Sequence, residues 1–382
     1  MKVTFPHMGN AWIVIQTLFE SLNVEVVVPP LNSKRTLQLG TRLSPESACL
    51  PMKLNLGNYI EAVKEGADTI VITGGIGPCR FGYYGEVERQ ILRDAGYAYD
   101  MVTLEPPDGS LLGLAGRIRY LAGAKNSWGK ILKTLRFAYL KSVALDRVED
   151  LIHAARPRLP DPRETEKLYE DAKVRIAQTM TELGVKETVR WVQESIRERQ
   201  PVLNTYERVS NPLRIGIIGE IYTILDPYTS VGIEEELGRL GAEVDRSIYL
   251  SGWIGNHVFQ GLAPGYRSIR SYPDYAKPYL PHFVGGHGQE TVGAAVKFAQ
   301  EGFDGIIQIF PLSCMPEIVA ASVLPRVQEA YKVPIMTLIV DEHTGHAGIQ
   351  TRLEAFVDLL ERKNIEPRSE QKRGEVLGFG GR

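Results

Sequence analysis

Three residues of this chain can do thiol chemistry, and each stands just ahead of a predicted helix: Cys49 in ESACLPMK, Cys79 in GGIGPCRFGYYGE and Cys314 in PLSCMPE. Proline follows Cys49 and Cys314 within two residues and precedes Cys79. Two of these segments read as copies. Glu65-Gly66-Ala67-Asp68 leads through the apolar run Thr69 to Thr73 into Cys79, and Glu301-Gly302-Phe303-Asp304 leads through Gly305 to Ile309 into Cys314. Both spell helix end, Gly turn, Asp, buried strand, tight loop, Cys and new helix. Such a repeat implies two domains that each deliver a thiol to the carboxyl end of a strand, where ligands of open α/β sheets gather. Helix N-termini at that edge offer free N–H groups and a positive dipole end, so a lowered thiol pKa and an anionic centre are expected. Three thiolates can hold a [4Fe–4S] cluster through three irons and leave the fourth to water, substrate or a non-Cys ligand. Zinc with a His ligand, or three unrelated buried cysteines, are the alternatives. No CxxC pair is present, so spacing alone does not choose between them.

Further candidates lie in two loops. The first, Pro281 to Glu290, carries His282 and His287 among glycines that permit close backbone approach, and either imidazole can donate protons or reach a cluster. The second, Asp341 to His346, follows an apolar strand and carries Glu342, His343 and His346, a carboxylate–imidazole set suited to proton transfer. Capping of the next helix by Asp341 or Thr344 is the competing reading. Lys53 and Arg80 lie close in sequence to the thiols, where they serve as counter-charge or as plain surface residues, and Tyr83 and Tyr84 read as packing. Gly77 and Pro78 before Cys79, and Ser313 before Cys314, are the candidate lining of the cofactor. The chain contains no GxxxxGK[ST], GxGxxG or GxSxG, which assigns ATP use to a partner.

The elements that must position these residues form three blocks. Residues 1–105 alternate strand and helix: Lys2 to Phe5, Ala11 to Leu22, Val24 to Val28, Leu54 to Lys64, Thr69 to Thr73 and Val87 to Ala95. That alternation predicts a parallel, doubly wound sheet carrying Cys49 and Cys79. Residues 106–211 lose the strand signal and predict a helical bridging segment, with helices over 128–155, 163–183 and 186–199. Alternation resumes over 212–362, a second Rossmann-like domain carrying Cys314, in which 251–286 reads as a loop-bearing excursion. The end, 363–382, is polar and is expected to be a mobile tail. The fold class is therefore α/β: two Rossmann-like parallel-sheet domains with a helical insertion.

Composition narrows the function classes. A net charge of −2 over 382 residues leaves no nucleic-acid footprint. No apolar run approaches the roughly 20 residues of a membrane helix, and MKVTFPHMGNAW reads as a first strand, so a cytoplasmic location is expected. An odd count of three cysteines argues against a disulfide framework.

Taken together, CLPMK, GGIGPCRFGYY, IQIFPLSC and DEHTGHAGIQTRLEAF resemble motifs of the 2-hydroxyacyl-CoA dehydratase superfamily, and more closely the stand-alone proteins related to the acyl-CoA dehydratase activase. The resemblance covers both α/β blocks. It implies that Cys49, Cys79 and Cys314 ligate one [4Fe–4S] cluster. It also implies electrons from an ATP-hydrolysing activator of the actin/Hsp70 fold, a small-molecule or acyl-CoA substrate, anaerobic metabolism and a homo- or heterodimer. An iron–sulfur dehydratase or reductase is the leading expectation. A non-enzymatic electron-transfer or cluster-carrier protein and a metal-free binding module stand beside it.

Overall fold

The computed structural model describes residues 1–74, 79–104, 111–199, 211–258 and 265–376, side chains of 111, 257, 258 and 364–376 excepted. Gly77 and Pro78 lie outside the described residues. The first α/β unit contains β1 (Lys2–Thr4), α1 (Ala11–Ser21), β2 (Glu25–Val26), α2 (Lys34–Thr41), α3 (Leu50–Lys64), β3 (Thr69–Thr73), α4 (Phe81–Asp94) and β4 (Asp100–Leu104). Helices α5 (Leu111–Ala122), α6 (Trp128–Ala155), α7 (Pro162–Gln178) and α8 (Glu182–Arg199) follow. The second unit runs β5 (Leu213–Gly219), α9 (Ile221–Leu225), α10 (Ile233–Arg239), β6 (Ala242–Arg246), α11 (Leu250–Trp253), a π-turn (Ile254–Val258), α12 (Tyr272–Ala276), α13 (Gly288–Gln300), β7 (Gly305–Pro311), α14 (Met315–Tyr331), β8 (Ile335–Val340) and α15 (His346–Val376).

Both sheets are all-parallel and wound identically, β2-β1-β3-β4 and β6-β5-β7-β8. The expected pair of Rossmann-like sheets is the fold. In each, chain order reverses between the first and third strands of the unit, β1/β3 and β5/β7, which opens a crevice at their carboxyl ends. Strands covered on both faces are continuously apolar: all seven residues of β7 and four of five in β3 are buried.

Several elements differ from the sequence reading. Strand β4, helix α5 and the short helices α2 and α9 were not expected. The excursion over 251–286 holds two short helices and a π-turn, and α15 continues to Val376 rather than stopping at Glu361. The last change fits composition, since Glu, Lys, Arg and Gln are good helix formers.

Helix α3 is the centre of the molecule. Every residue from Leu50 to Ala62 is buried, polar ones included, so it has no solvent face and no amphipathic signature. Helix α2 crosses it backbone to backbone, because a Cβ on Gly40 would overlap the Lys53 carbonyl and one on Gly57 the Thr36 carbonyl. One apolar core joins α1, α3 and helices α6 to α8 to the second sheet through Ile215, Ile217 and Val244. A buried ion network fastens that junction: Arg246 pairs with Glu149 and Glu234, and His153 Nε2 lies 2.8 Å from Glu234.

Candidate functional site

All three cysteines stand where a helix opens. Cys49 is the N-cap of α3 with Pro51 in its first turn, and Cys314 is the N-cap of α14 with Pro316 likewise placed. Proline fits there because the first-turn N–H has no helical partner. Cys79 sits two residues before α4. Cys79 and Cys314 thus follow the equivalent strands β3 and β7, while Cys49 heads the helix that runs into β3.

Arg80 ties the three loops together. Its Nη1 donates to the Ser47 carbonyl at 3.1 Å, and its Nη2 to the Ser313 carbonyl at 2.8 Å and Ser313 Oγ at 3.1 Å. Ser313 Oγ in turn donates to the Ser47 carbonyl at 3.1 Å. Arg80 follows Cys79, Ser313 precedes Cys314, and Ser47 stands two residues before Cys49. One planar guanidinium therefore links all three thiol loops across both units, a task suited to its fixed fork. Ser313 holds a positive φ of 65°, the left-handed conformation that aims its carbonyl at Arg80.

Further ties close the same crevice. Lys53, 3% exposed, donates to Glu342 Oε1 at 2.5 Å and to the Glu46 carbonyl at 3.2 Å. Asp226 accepts from Gly9 N–H at 3.2 Å and Asn32 Nδ2 at 3.0 Å, and Tyr222 Oη donates to the His7 carbonyl at 2.6 Å.

Burial dominates the thiol electrostatics. It pushes Cys49 up to about 11, against a 2.7 Å contact with Tyr84 Oη that favours the thiolate. Burial likewise raises Cys79 and, further, Cys314. The expectation that helix N-termini would lower these values fails because desolvation outweighs the dipole. Glu220, at the end of β5, raises all three thiols, and Cys49 raises Cys314. Three thiols and one carboxylate thus share a single field. Burial holds Glu220 high and pushes Glu317 up to about 7, although Gln308 and Thr291 donate to Glu317.

Neutral part-buried thiols keep their protons until a metal displaces them, because a coordinating thiol is deprotonated outright. The donor set therefore fits a thiolate-bound metal centre. Among the described residues, no three His, Cys, Asp or Glu side chains are arranged to hold a single metal ion. A cubane asks for a different arrangement, with thiolates spread over separate corners.

The predicted histidines divide. His287 caps α13 and accepts from Trp253 Nε1 at 3.0 Å on its Nε2. Its neighbour Gly286 lies against Cys79 and Pro316: a Cβ there would sit 3.7 Å from the Cys79 Cβ and 3.1 Å from Pro316 Cγ. His282 and His343 are exposed. Asp341 closes a local turn, accepting from Thr344 Oγ1 at 3.0 Å and His343 N–H at 2.9 Å. Glu342 and His346 line a cleft of about 390 Å³ beside the Cys49 loop, walled by Leu37, Leu50, Tyr228 and Val340. Sequence reasoning named Arg80 and Lys53 only as counter-charges or plain surface residues and missed Ser47, Glu220 and Glu317. The one available signal was Glu220 closing the apolar run LRIGIIGE.

Comparison with known proteins adds one match. Residues 7–72 match a family model described as a CoA enzyme activase uncharacterised domain. That segment contains Cys49 and all of α3. No curated protein matches the chain. Among the described residues, no helix is long and apolar enough to cross a membrane. The chain is thus α/β, with two all-parallel sheets and an activase-related segment at its N-terminal end.

Proposed function

We propose that Cys49, Cys79 and Cys314 hold one [4Fe–4S] cluster in the crevice, and that the protein works in low-potential reductive or dehydrating chemistry on a small molecule or CoA thioester. The observation that carries this reading is the three-way tie through Arg80, which brings three cysteine loops from two domains to one place. The activase-related match over residues 7–72 supports a link to CoA-enzyme chemistry. Bound there, the cluster would supply a one-electron donor with one iron open to a small ligand. Electrons would come from a separate ATP-hydrolysing activator, since this chain has no phosphate-cradling motif.

The protein's own residues have definable tasks. Arg80 fixes the loops, and Lys53 with Glu342 holds the two units closed beside Cys49. The 390 Å³ cleft lies at the small end of ligand sites. It suits an acyl group or small molecule, and the bulk of a coenzyme A would remain outside. Glu342 and His346 stand in its wall as candidate proton carriers.

Anaerobically purified protein should contain about four irons and four sulfides per chain, and Ser at any of the three cysteine positions should lose or convert the cluster. A Cys314→Ser variant with full iron content and unchanged spectra would overturn the assignment.

A further inference from the structure

The two units are equivalent strand for strand, so every residue at the crevice has a counterpart. Strands β3 and β7 correspond, and so do the loops after them, which place Cys79 and Cys314. The helices that run into those strands correspond as well. Helix α3 enters β3 through Glu65-Gly66-Ala67-Asp68, and α13 enters β7 through Glu301-Gly302-Phe303-Asp304. The N-cap of α3 is Cys49, and the N-cap of α13 is His287. Four equivalent helix openings therefore converge on the crevice, three carrying thiols and the fourth an imidazole.

A second observation places the fourth opening against the thiols. Gly286 has a positive φ of 45° and packs onto Cys79 and Pro316, where a Cβ would already touch the Cys79 Cβ at 3.7 Å. Gly288 is as tight against the first turn of α14, because its Cβ would overlap the Pro316 carbonyl. The backbone on either side of His287 is thus packed against Cys79 and the first turn of the helix headed by Cys314. Indole N–H is donor only, so the Trp253 bond engages the His287 Nε2 lone pair.

We propose that position 287 is the fourth corner of the site, and that Trp253 holds the native imidazole beside the open iron but off it. The inference rests on the cluster reading above and specifies what stands at the corner no cysteine fills. A histidine held off the metal leaves that iron to an exogenous ligand, while a thiol at the same position would close it.

The experiment begins with iron and sulfide analysis of anaerobically purified wild-type protein, which tests the cluster reading by itself. With the cluster present, pulsed EPR of the reduced protein should show no strongly coupled nitrogen, and cyanide should shift the g-values. In His287→Cys the iron content should be kept, no added free thiol should appear on alkylation, and the cyanide shift should be lost. His287→Ala should keep both the iron and the cyanide shift. A strongly coupled nitrogen in wild-type protein overturns the proposal, and that spectrum needs no variant to fold. So does a His287→Cys protein that binds cyanide like wild type with its new thiol fully alkylated.

Discussion

Replacing Arg80 by lysine separates geometry from charge. The guanidinium makes three hydrogen bonds, to the Ser47 carbonyl, the Ser313 carbonyl and Ser313 Oγ, at 2.8–3.1 Å. Arg80 is exposed, so water competes and each bond is worth the low end of the usual range, about 0.5 to 1 kcal/mol. Their sum is about 2 kcal/mol. A lysine ammonium keeps the charge but cannot span three acceptors on two loops, so Arg80→Lys should lose most of that sum. Local opening of the crevice then becomes about 30-fold more frequent, at 1.4 kcal/mol per factor of ten. The assay is iodoacetamide alkylation of reduced, metal-free protein, followed site by site with mass spectrometry. Cys79 and Cys314, part-buried in the wild type, should react about 30-fold faster in both Arg80→Lys and Arg80→Gln. If the lysine variant reacts at the wild-type rate while the glutamine variant is fast, charge alone holds the loops. If neither changes, the clamp reasoning is wrong.

Other expectations concern stability. Burial pushes Glu88 up to about 8 from 4.5, against an Asn55 hydrogen bond that favours the carboxylate. Below pH 4.5 both states are protonated, and between about 4.5 and 8 only the folded state keeps the proton, so stability falls as pH rises through that window by at most about 4 to 5 kcal/mol. Glu88→Gln should reduce the fall of the urea midpoint between pH 5 and 9, with the remainder coming from other raised carboxyls such as Glu317, and an unchanged slope would refute the assignment. Glu342→Ala strands the buried Lys53 ammonium and should cost about 3 kcal/mol, the low end for a buried pair because the Glu342 side chain is 23% exposed. The double change Lys53→Met with Glu342→Leu should recover most of the loss in the same denaturation assay. Gly57→Ala drives a methyl into the Thr36 carbonyl and should cost about 3 kcal/mol, while Gly116→Ala, also inside a helix but open on all sides, should lack that clash and serves as the control.

What was legible followed from period and punctuation. The runs Thr69 to Thr73 and Ile335 to Val340 are short, largely apolar strands, and both appear with those bounds. The charged helix Trp128–Ala155 was equally plain between Ser127 and the prolines after Ala155. Helix α2 was hidden because KRTLQLGT is short and carries, one residue before its end, the glycine that α3 needs for contact. Strand β4 was hidden because it has only two fully buried residues. At the site, helix openings marked the cysteine positions, but the sign of the thiol shift was not legible. That sign depends on how much of the second unit covers each sulfur, a tertiary quantity with no local pattern. The same holds for Glu342, whose partner Lys53 lies 289 residues away.

The two units share one winding but not one charge. The cations that reach across the crevice, Lys53 and Arg80, belong to the first unit, and their acceptors Glu342 and Ser313 to the second. The second unit also supplies Glu220 and Glu317, the buried carboxyls that act on the thiols. Neither half contains a site by itself: the first has two thiols and two cations held only by the Glu46 and Ser47 carbonyls, the second one thiol against two carboxyls. Docking therefore assembles thiols and counter-charges in a single step. The apolar core that runs from Leu50 and Leu54 into Ile215 and Ile217 drives that docking, and the polar ties set its register. Weakening Arg80 should then loosen the thiol loops while the core holds the units together, so crevice opening and global unfolding should separate in the Arg80 variants.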